Sequence, residues 1–265
     1  MTSKRICITT SCQKGNVRPN NEDAISIDGK LIRDDSYNTI IEIGNSDRDI
    51  HLCAVADGMG GYEGGEVASM NTLDSLSFFI KDLPAGLDVV QLKEHINVWL
   101  NSINSTINKM GRYNMSLKNM GTTLVAVIFY YGRCYWFNAG DSRLYLHKKD
   151  KLVQITLDHT LATVRNSKKH NNILTNCIGA GNENAYIDFG DITDDIDNDT
   201  TLLLCSDGLN DMLTDDQIEM VIRQEGRAKD LTHLATVEGG IDNVSTCMIK
   251  LETYNNEETD NKEED

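Results

Sequence analysis

Proline is nearly absent from this chain of 265 residues: only Pro19 and Pro84 occur. Chain breaks must therefore fall to Gly and to Asn/Asp clusters, and no Pro/Gly/Ser-rich linker separates two domains. Positive charge is also scarce, with 25 Lys and Arg against 41 Asp and Glu, a net charge of −16. That balance argues against nonspecific binding to nucleic acid and is unfavourable for an anionic membrane. No apolar run approaches the roughly 18 residues of a membrane-spanning helix. The N-terminal Met1-Thr2-Ser3-Lys4-Arg5-Ile6 lacks the apolar region of a signal peptide. The seven cysteines are odd in number and irregularly spaced, so they make no disulfide framework. Cys53, Cys205 and Cys247 lie inside apolar runs and read as core thiols, which points to a reducing, cytoplasmic compartment.

What is present suits one globular domain over residues 1–251, followed by an acidic tail over 252–265 that is expected to be disordered. The tail holds seven acids and one base, so it supplies −6 of the net charge. Strands are expected over Arg5–Cys12, Ala24–Ile27 and Ile50–Ala56, the last nearly all apolar and so central. Apolar residues recur at helical spacing over Val67–Ile80 and, more strictly, over Val89–Met110. A strand over Thr122–Tyr131 turns back into Cys134–Ala139. Gly140-Asp141-Ser142-Arg143 reads as a hairpin turn. Arg143–His147 and Lys151–Ile155 read as a second hairpin. Thr201–Cys205 and Val244–Leu251 complete the strands, and Asp215–Arg223 and Ala228–Val237 are helical. Strands and helices do not alternate, which argues for antiparallel sheets flanked by helices rather than a doubly wound parallel sheet.

Four short segments carry the chemistry: Arg18-Pro19-Asn20-Asn21-Glu22-Asp23, Val55-Ala56-Asp57-Gly58-Met59-Gly60-Gly61, Cys205-Ser206-Asp207-Gly208 and Gly239-Gly240-Ile241-Asp242-Asn243. Each sets a carboxylate beside Gly or Asn near an apolar run. Any one alone reads as a capped turn. Carboxylates gathered at strand ends repel one another unless a cation neutralises them, and an oxygen-only donor set suits Mg²⁺ or Mn²⁺. Arg18 adds a planar fork suited to phosphate. The Gly-rich run after Asp57 lacks the Gly-Lys-Ser/Thr ending of a P-loop.

These segments, with Met120-Gly121-Thr122-Thr123-Leu124, Ala139-Gly140-Asp141-Ser142-Arg143-Leu144, Asp158-His159-Thr160, Leu174-Thr175 with Ile178-Gly179, and Asp242-Asn243-Val244-Ser245, run in the order of the metal-dependent protein phosphatases (PPM, type 2C-like). The chain resembles the bacterial single-domain members over roughly residues 5–250. The resemblance implies an α+β fold, a β-sandwich of two antiparallel sheets flanked by helices in four αββα layers. It implies two Mg²⁺ or Mn²⁺ ions bridged by Asp57, with the Gly58 carbonyl on one and Asp207, Asp242 and Glu22 serving the other. Asp23 and Asn243 would stand behind these ligands, and Arg18 would clamp the substrate phosphate. The expected activity is hydrolysis of phosphoserine and phosphothreonine in proteins by a monomer, opposing a Ser/Thr kinase. The alternatives are a catalytically weak pseudophosphatase that acts as a phosphoprotein-binding module and a different metallohydrolase such as a nuclease.

Three departures bear on this. Met59 stands where a His general acid is common in eukaryotic relatives. Lys118 stands where many bacterial relatives place an Asp for a third metal, so that site is expected to be absent or weak. The flap over Leu161–Ile173 is short, and Arg165, Lys168 and Lys169 make it basic.

Overall fold

The computed structural model describes residues 2–44, 49–60, 63–166 and 173–255. The chain begins with β1 (Thr2–Gln13), β2 (Asp23–Ile27), β3 (Lys30–Ile32), β4 (Ser36–Ile43) and β5 (Ile50–Met59), then helices α1 (Gly64–Lys81) and α2 (Val89–Tyr113). A 3-10 turn at Met115–Leu117 leads into β6 (Gly121–Thr122), β7 (Leu124–Tyr130), β8 (Arg133–Ala139), β9 (Arg143–Lys148) and β10 (Lys151–Gln154). There follow α3 (Leu161–Val164), β11 (Ile178–Gly179), β12 (Asp188–Asp191), β13 (Thr201–Cys205), α4 (Asp207–Asn210), α5 (Asp215–Arg223), α6 (Ala228–Val237) and β14 (Val244–Asn255).

The strands form two antiparallel sheets. One runs β10-β9-β13-β14-β1-β4; the other runs β11-β6-β5-β7-β8-β12, with β2 on β5 and β3 on β2. Side-chain alternation explains why the central strands read as unbroken apolar runs. On β7, Leu124, Ala126, Ile128 and Tyr130 face helices α1 and α2, whereas Val125, Val127 and Phe129 face the opposite sheet. On β13, Leu202 and Leu204 enter the core between the sheets, while Leu203 and Cys205 pack toward α5 and α6. Three cores therefore separate four layers, the expected αββα sandwich. Each buried Leu or Ile contributes about 1.5–3 kcal/mol of transfer free energy. Helix α2 starts at a capping box, Asp88 with Gln91, and buries the stripe Leu92, Ile96, Leu100, Ile103 and Ile107.

Several expectations change. β3 and β4 fall where no strand is expected. β4 alternates exposed and half-buried residues along its sheet's edge, so no apolar run marks it. Gly140–Ser142 is not a hairpin turn: β8 and β9 belong to different sheets, and this corner carries the chain across the sandwich. The expected strand over Thr122–Tyr131 breaks at Thr123, whose hydroxyl accepts from the Asp57 N–H. β14 continues to Asn255, four residues into the expected tail, and Arg5 on β1 pairs there with Glu252. The rest of that tail, 256–265, lies outside the described residues, as do Gly61, Lys168 and Lys169. Cys53, Cys205 and Cys247 are fully buried, and all seven cysteines are free. No described helix is long and apolar enough to cross a membrane.

Candidate active site

The acidic segments meet at one end of the sandwich. Asp23, which opens β2, sits directly opposite Asp57 near the end of β5. From the other sheet, Ser206 follows β13, and its hydroxyl donates to Asp23 Oδ2 at 2.7 Å. The same hydroxyl accepts from the Ser245 N–H of β14 at 3.0 Å. A fully buried carboxylate thus bolts the two sheets together beneath the site. Asp207 comes next in the chain and opens α4.

Asn243 ties the first and last acidic segments. Its Oδ1 accepts from the Glu22 N–H at 2.8 Å, and its Nδ2 donates to the carbonyls of Lys14 at 2.8 Å and Asn20 at 2.9 Å. Arg18 is thereby brought to Asp242, and its Nη2 donates to Asp242 Oδ2. Two glycines permit the close approaches. A Cβ on Gly58 would collide with the carbonyls of Gly65 and Glu22, and one on Gly208 with the carbonyl of Asn243. Glu22 also accepts a hydrogen bond from the Gly65 N–H in the first turn of α1, where the helix dipole favours an anion. Thr122 and Thr123 fix Asp57 from the side: the Thr122 hydroxyl donates to the Asp57 carbonyl at 2.9 Å, and so does the Thr123 N–H, also at 2.9 Å.

The resulting cleft is open to solvent and has a volume of about 750 Å³. Arg18, Glu22, Asp57, Gly58, Asp207, Asp242 and Asn243 all line it, and Asp23 lies underneath. Met59 lines it too and has no acidic proton to offer. Lys118 does not line it. It sits exposed at the end of the 3-10 turn, beside a separate depression.

The electrostatics are those of crowded anions. Burial first, and then the charges of Asp23, Asp207, Asp141 and Asp242, hold the Asp57 carboxyl well above the ordinary carboxylate range. Burial pushes Asp207 up to about 6, with Asp211 and Asp242 adding to the rise. Asp23 is raised to about 7 by burial, against the hydrogen bonds from Ser206 and Ser245. Glu22 is raised by burial, opposed by Arg18. The Oδ1 atoms of Asp23 and Asp207 are buried without a hydrogen-bond partner. Anionic oxygens left without donors, beside a single bound guanidinium, fit hard divalent cations. Among the described residues, no three of these side chains already close into a ligand cage; the acids ring the cleft instead.

Asp141 adds an acid that its turn-like sequence hides. It lines the cleft, is buried, and is raised to about 8 by burial and by Asp207. The available signal was the one used for Asp57 and Asp207, an acid just past an apolar strand. Thr123 and Asn176 also line the cleft. Asp158 and His159 make structural contacts. Asp158 takes a two-pronged ion pair from Arg143. His159 Nδ1 accepts from the Gly140 N–H at 3.0 Å, leaving Nε2–H for Asp188.

Residues 26–236 match the family described as protein phosphatase 2C. The chain belongs to that family. This protein phosphatase 2C member is 30% identical over 214 residues to the serine/threonine phosphatase stp of Listeria innocua, covering 75% of this chain and 84% of the relative. It is 28% identical over 216 residues to the protein phosphatase PhpP of Streptococcus pneumoniae, covering 76% and 85%. Among solved structures, the S. agalactiae serine/threonine phosphatase superposes with a TM-score of 0.79 at 26% identity, over 93% of this chain and all of that one. The catalytic domain of PstP, in complex with two manganese ions, superposes at 0.70 and 27% identity, over 95% and 99%.

Proposed function

We propose that this chain is a metal-dependent phosphatase of phosphoserine and phosphothreonine in proteins. The observation that carries the reading is the ring of carboxylates Asp57, Asp207, Asp242 and Glu22, closed by Arg18 at one open cleft, with Asp207 Oδ1 buried and unpartnered. In this reading Asp57, the Gly58 carbonyl, Asp207, Asp242 and Glu22 would hold two Mg²⁺ or Mn²⁺ ions. When bound, such a pair supplies a strong nucleophile from water at neutral pH and neutralises charge on the phosphoryl group.

The chain's own residues do the rest. Arg18 leaves Asp242 to present its fork to two phosphate oxygens, a bidentate geometry that lysine cannot copy. Its charge is secure, because the hydrogen bond to Asp242 raises its pKa further. Asn243 keeps the Arg18 and Asp242 segments in register. Asp23 stays behind the ligands as the bolt between sheets. No cysteine serves as nucleophile: Cys12 and Cys177 are pushed up to about 11 by burial, and Cys205 to about 12. A third ion beside Lys118 is not part of this reading, since an ammonium repels it. The seven free thiols suit a reducing cytoplasm. The substrates are phosphoproteins, the opposing activity is a Ser/Thr kinase, and the chain works as a monomer.

The test is hydrolysis of p-nitrophenyl phosphate and of a phosphothreonine peptide with Mn²⁺, with Mg²⁺ and with EDTA. Turnover that EDTA abolishes supports the reading. Turnover indifferent to EDTA refutes the metal mechanism, and none under any ion favours a binding module.

A further inference from the structure

Beyond the cleft wall formed by Ala180–Asn182 lies a second depression of about 220 Å³, and Gly181 borders both. Its rim is Arg112 at the end of α2, Met115 in the 3-10 turn, and Lys118 with Asn119 after it. Met115 is 74% exposed and the neighbouring Tyr113 is 89% exposed, large apolar surfaces on a short stretch beside an active site. Ile107 and Met120 line the depression from beneath and are buried. Lys109 extends the positive edge along the exposed side of α2. Arg112 meets Glu183 at 3.2 Å in a largely exposed pair, while Lys109 and Lys118 face no carboxylate partner among the described residues. In a chain of net charge −16, three cations within ten residues are a local reversal of sign.

The wall between the two hollows is rigidly built. Asn104 Oδ1 accepts from the Gly179 N–H at 2.7 Å, and Asn108 Oδ1 accepts from the Gly181 N–H at 2.8 Å. Both asparagines also donate to the Asn182 carbonyl at 2.8 Å. Asn182 Nδ2 in turn donates to the Cys177 carbonyl at 2.9 Å. Helix α2 therefore fixes the depression at a constant offset from the cleft, as a docking site for a polypeptide needs.

We propose that this depression receives the segment of a phosphoprotein substrate that flanks the phosphorylated residue, and that it selects segments carrying an apolar side chain next to carboxylates. The apolar side chain covers Met115 over the floor formed by Ile107 and Met120. The carboxylates face Arg112, Lys118 and Lys109. The proposal rests on the phosphatase reading and adds a sequence preference that the cleft alone does not supply. The cations compensate the repulsion that an acidic enzyme otherwise exerts on an acidic substrate.

The experiment compares wild type with Met115→Ser and with the double variant Arg112→Glu, Lys118→Gln. All three positions are exposed, and unchanged melting temperatures confirm intact folding. The substrates are p-nitrophenyl phosphate, a phosphothreonine peptide with Leu and Glu on both flanks, and the same peptide with Ser and Lys there. Wild type is expected to favour the Leu/Glu peptide by about tenfold in kcat/KM, the effect of some 1.4 kcal/mol. Both variants should lose that preference through KM, with p-nitrophenyl phosphate turnover unchanged. Equal treatment of the two peptides by wild type, or a preference that survives both variants, overturns the docking site and leaves the phosphatase reading standing. Absence of turnover on every substrate overturns the phosphatase reading and the docking site with it.

Discussion

Asp207 is the residue at which stability and activity pull in opposite directions. Its carboxyl is raised to about 6 by burial and by neighbouring acids, and one of its oxygens has no donor. Asp207→Asn keeps the shape and removes the charge. It should lower metal-dependent turnover by more than about a hundredfold, beyond what loss of an outer partner costs. In EDTA at pH 8, the same variant should melt no lower than wild type, because it removes repulsion. Differential scanning calorimetry with and without Mn²⁺ separates the two effects. Ser206 makes the complementary case. Ser206→Ala strips one donor from the buried Asp23 and should cost about 1–3 kcal/mol in urea unfolding at pH 8. The acids at 22, 57, 207 and 242 were legible in the sequence because each follows or precedes an apolar run, and strand ends are where a sandwich gathers its loops. Asp141 obeys the same rule, but its setting in Gly-Asp-Ser-Arg imitates a tight turn. Nothing local says that the strands on either side enter different sheets.

Elements bring these side chains within reach of one another. β5 delivers Asp57 because Leu52, Ala54 and Ala56 face the helices and Cys53 and Val55 face the other sheet, so the strand is gripped on both sides. β13 does the same for Asp207. Leu204→Ala, in the core between the sheets, should cost about 2–5 kcal/mol of stability and loosen the Ser206–Asp23 bolt that follows it. Its chemical unfolding midpoint should fall with the m-value unchanged. Gly208→Ala is a backbone test: its Cβ would meet the Asn243 carbonyl, so the Asp207 and Asp242 loops must part. Metal affinity should drop even where the fold survives, and titration calorimetry reads this. The long periodic helices α1 and α2 were legible to within three residues at their ends, since an amphipathic stripe is a local signal. The edge strand β4 was not, because half-burial leaves no apolar run. The asparagine ties between α2 and the cleft wall join residues some seventy positions apart, and no local pattern announces them.

The whole molecule stores an electrostatic debt at one end of its sandwich. Asp207, Asp23 and Asp141 are raised to about 6, 7 and 8, and Asp57 is raised as well. An acid whose folded pKa exceeds its unfolded value of about 4 binds more protons when native than when unfolded. Stability of the metal-free chain should therefore fall as pH rises from about 4 to 8 through those values, opposite to the usual behaviour of a salt-bridged aspartate. Melting temperatures in EDTA across that range check the sign. Saturating Mn²⁺ should restore stability most at the alkaline end, where the carboxylates are ionised and free to ligate. The most direct test of the central claim is anomalous diffraction from crystals grown with Mn²⁺. The account predicts two peaks in the cleft on either side of Asp57, within coordinating reach of Asp207, Asp242 and Glu22. A single peak, or manganese bound only elsewhere on the acidic surface, would contradict it.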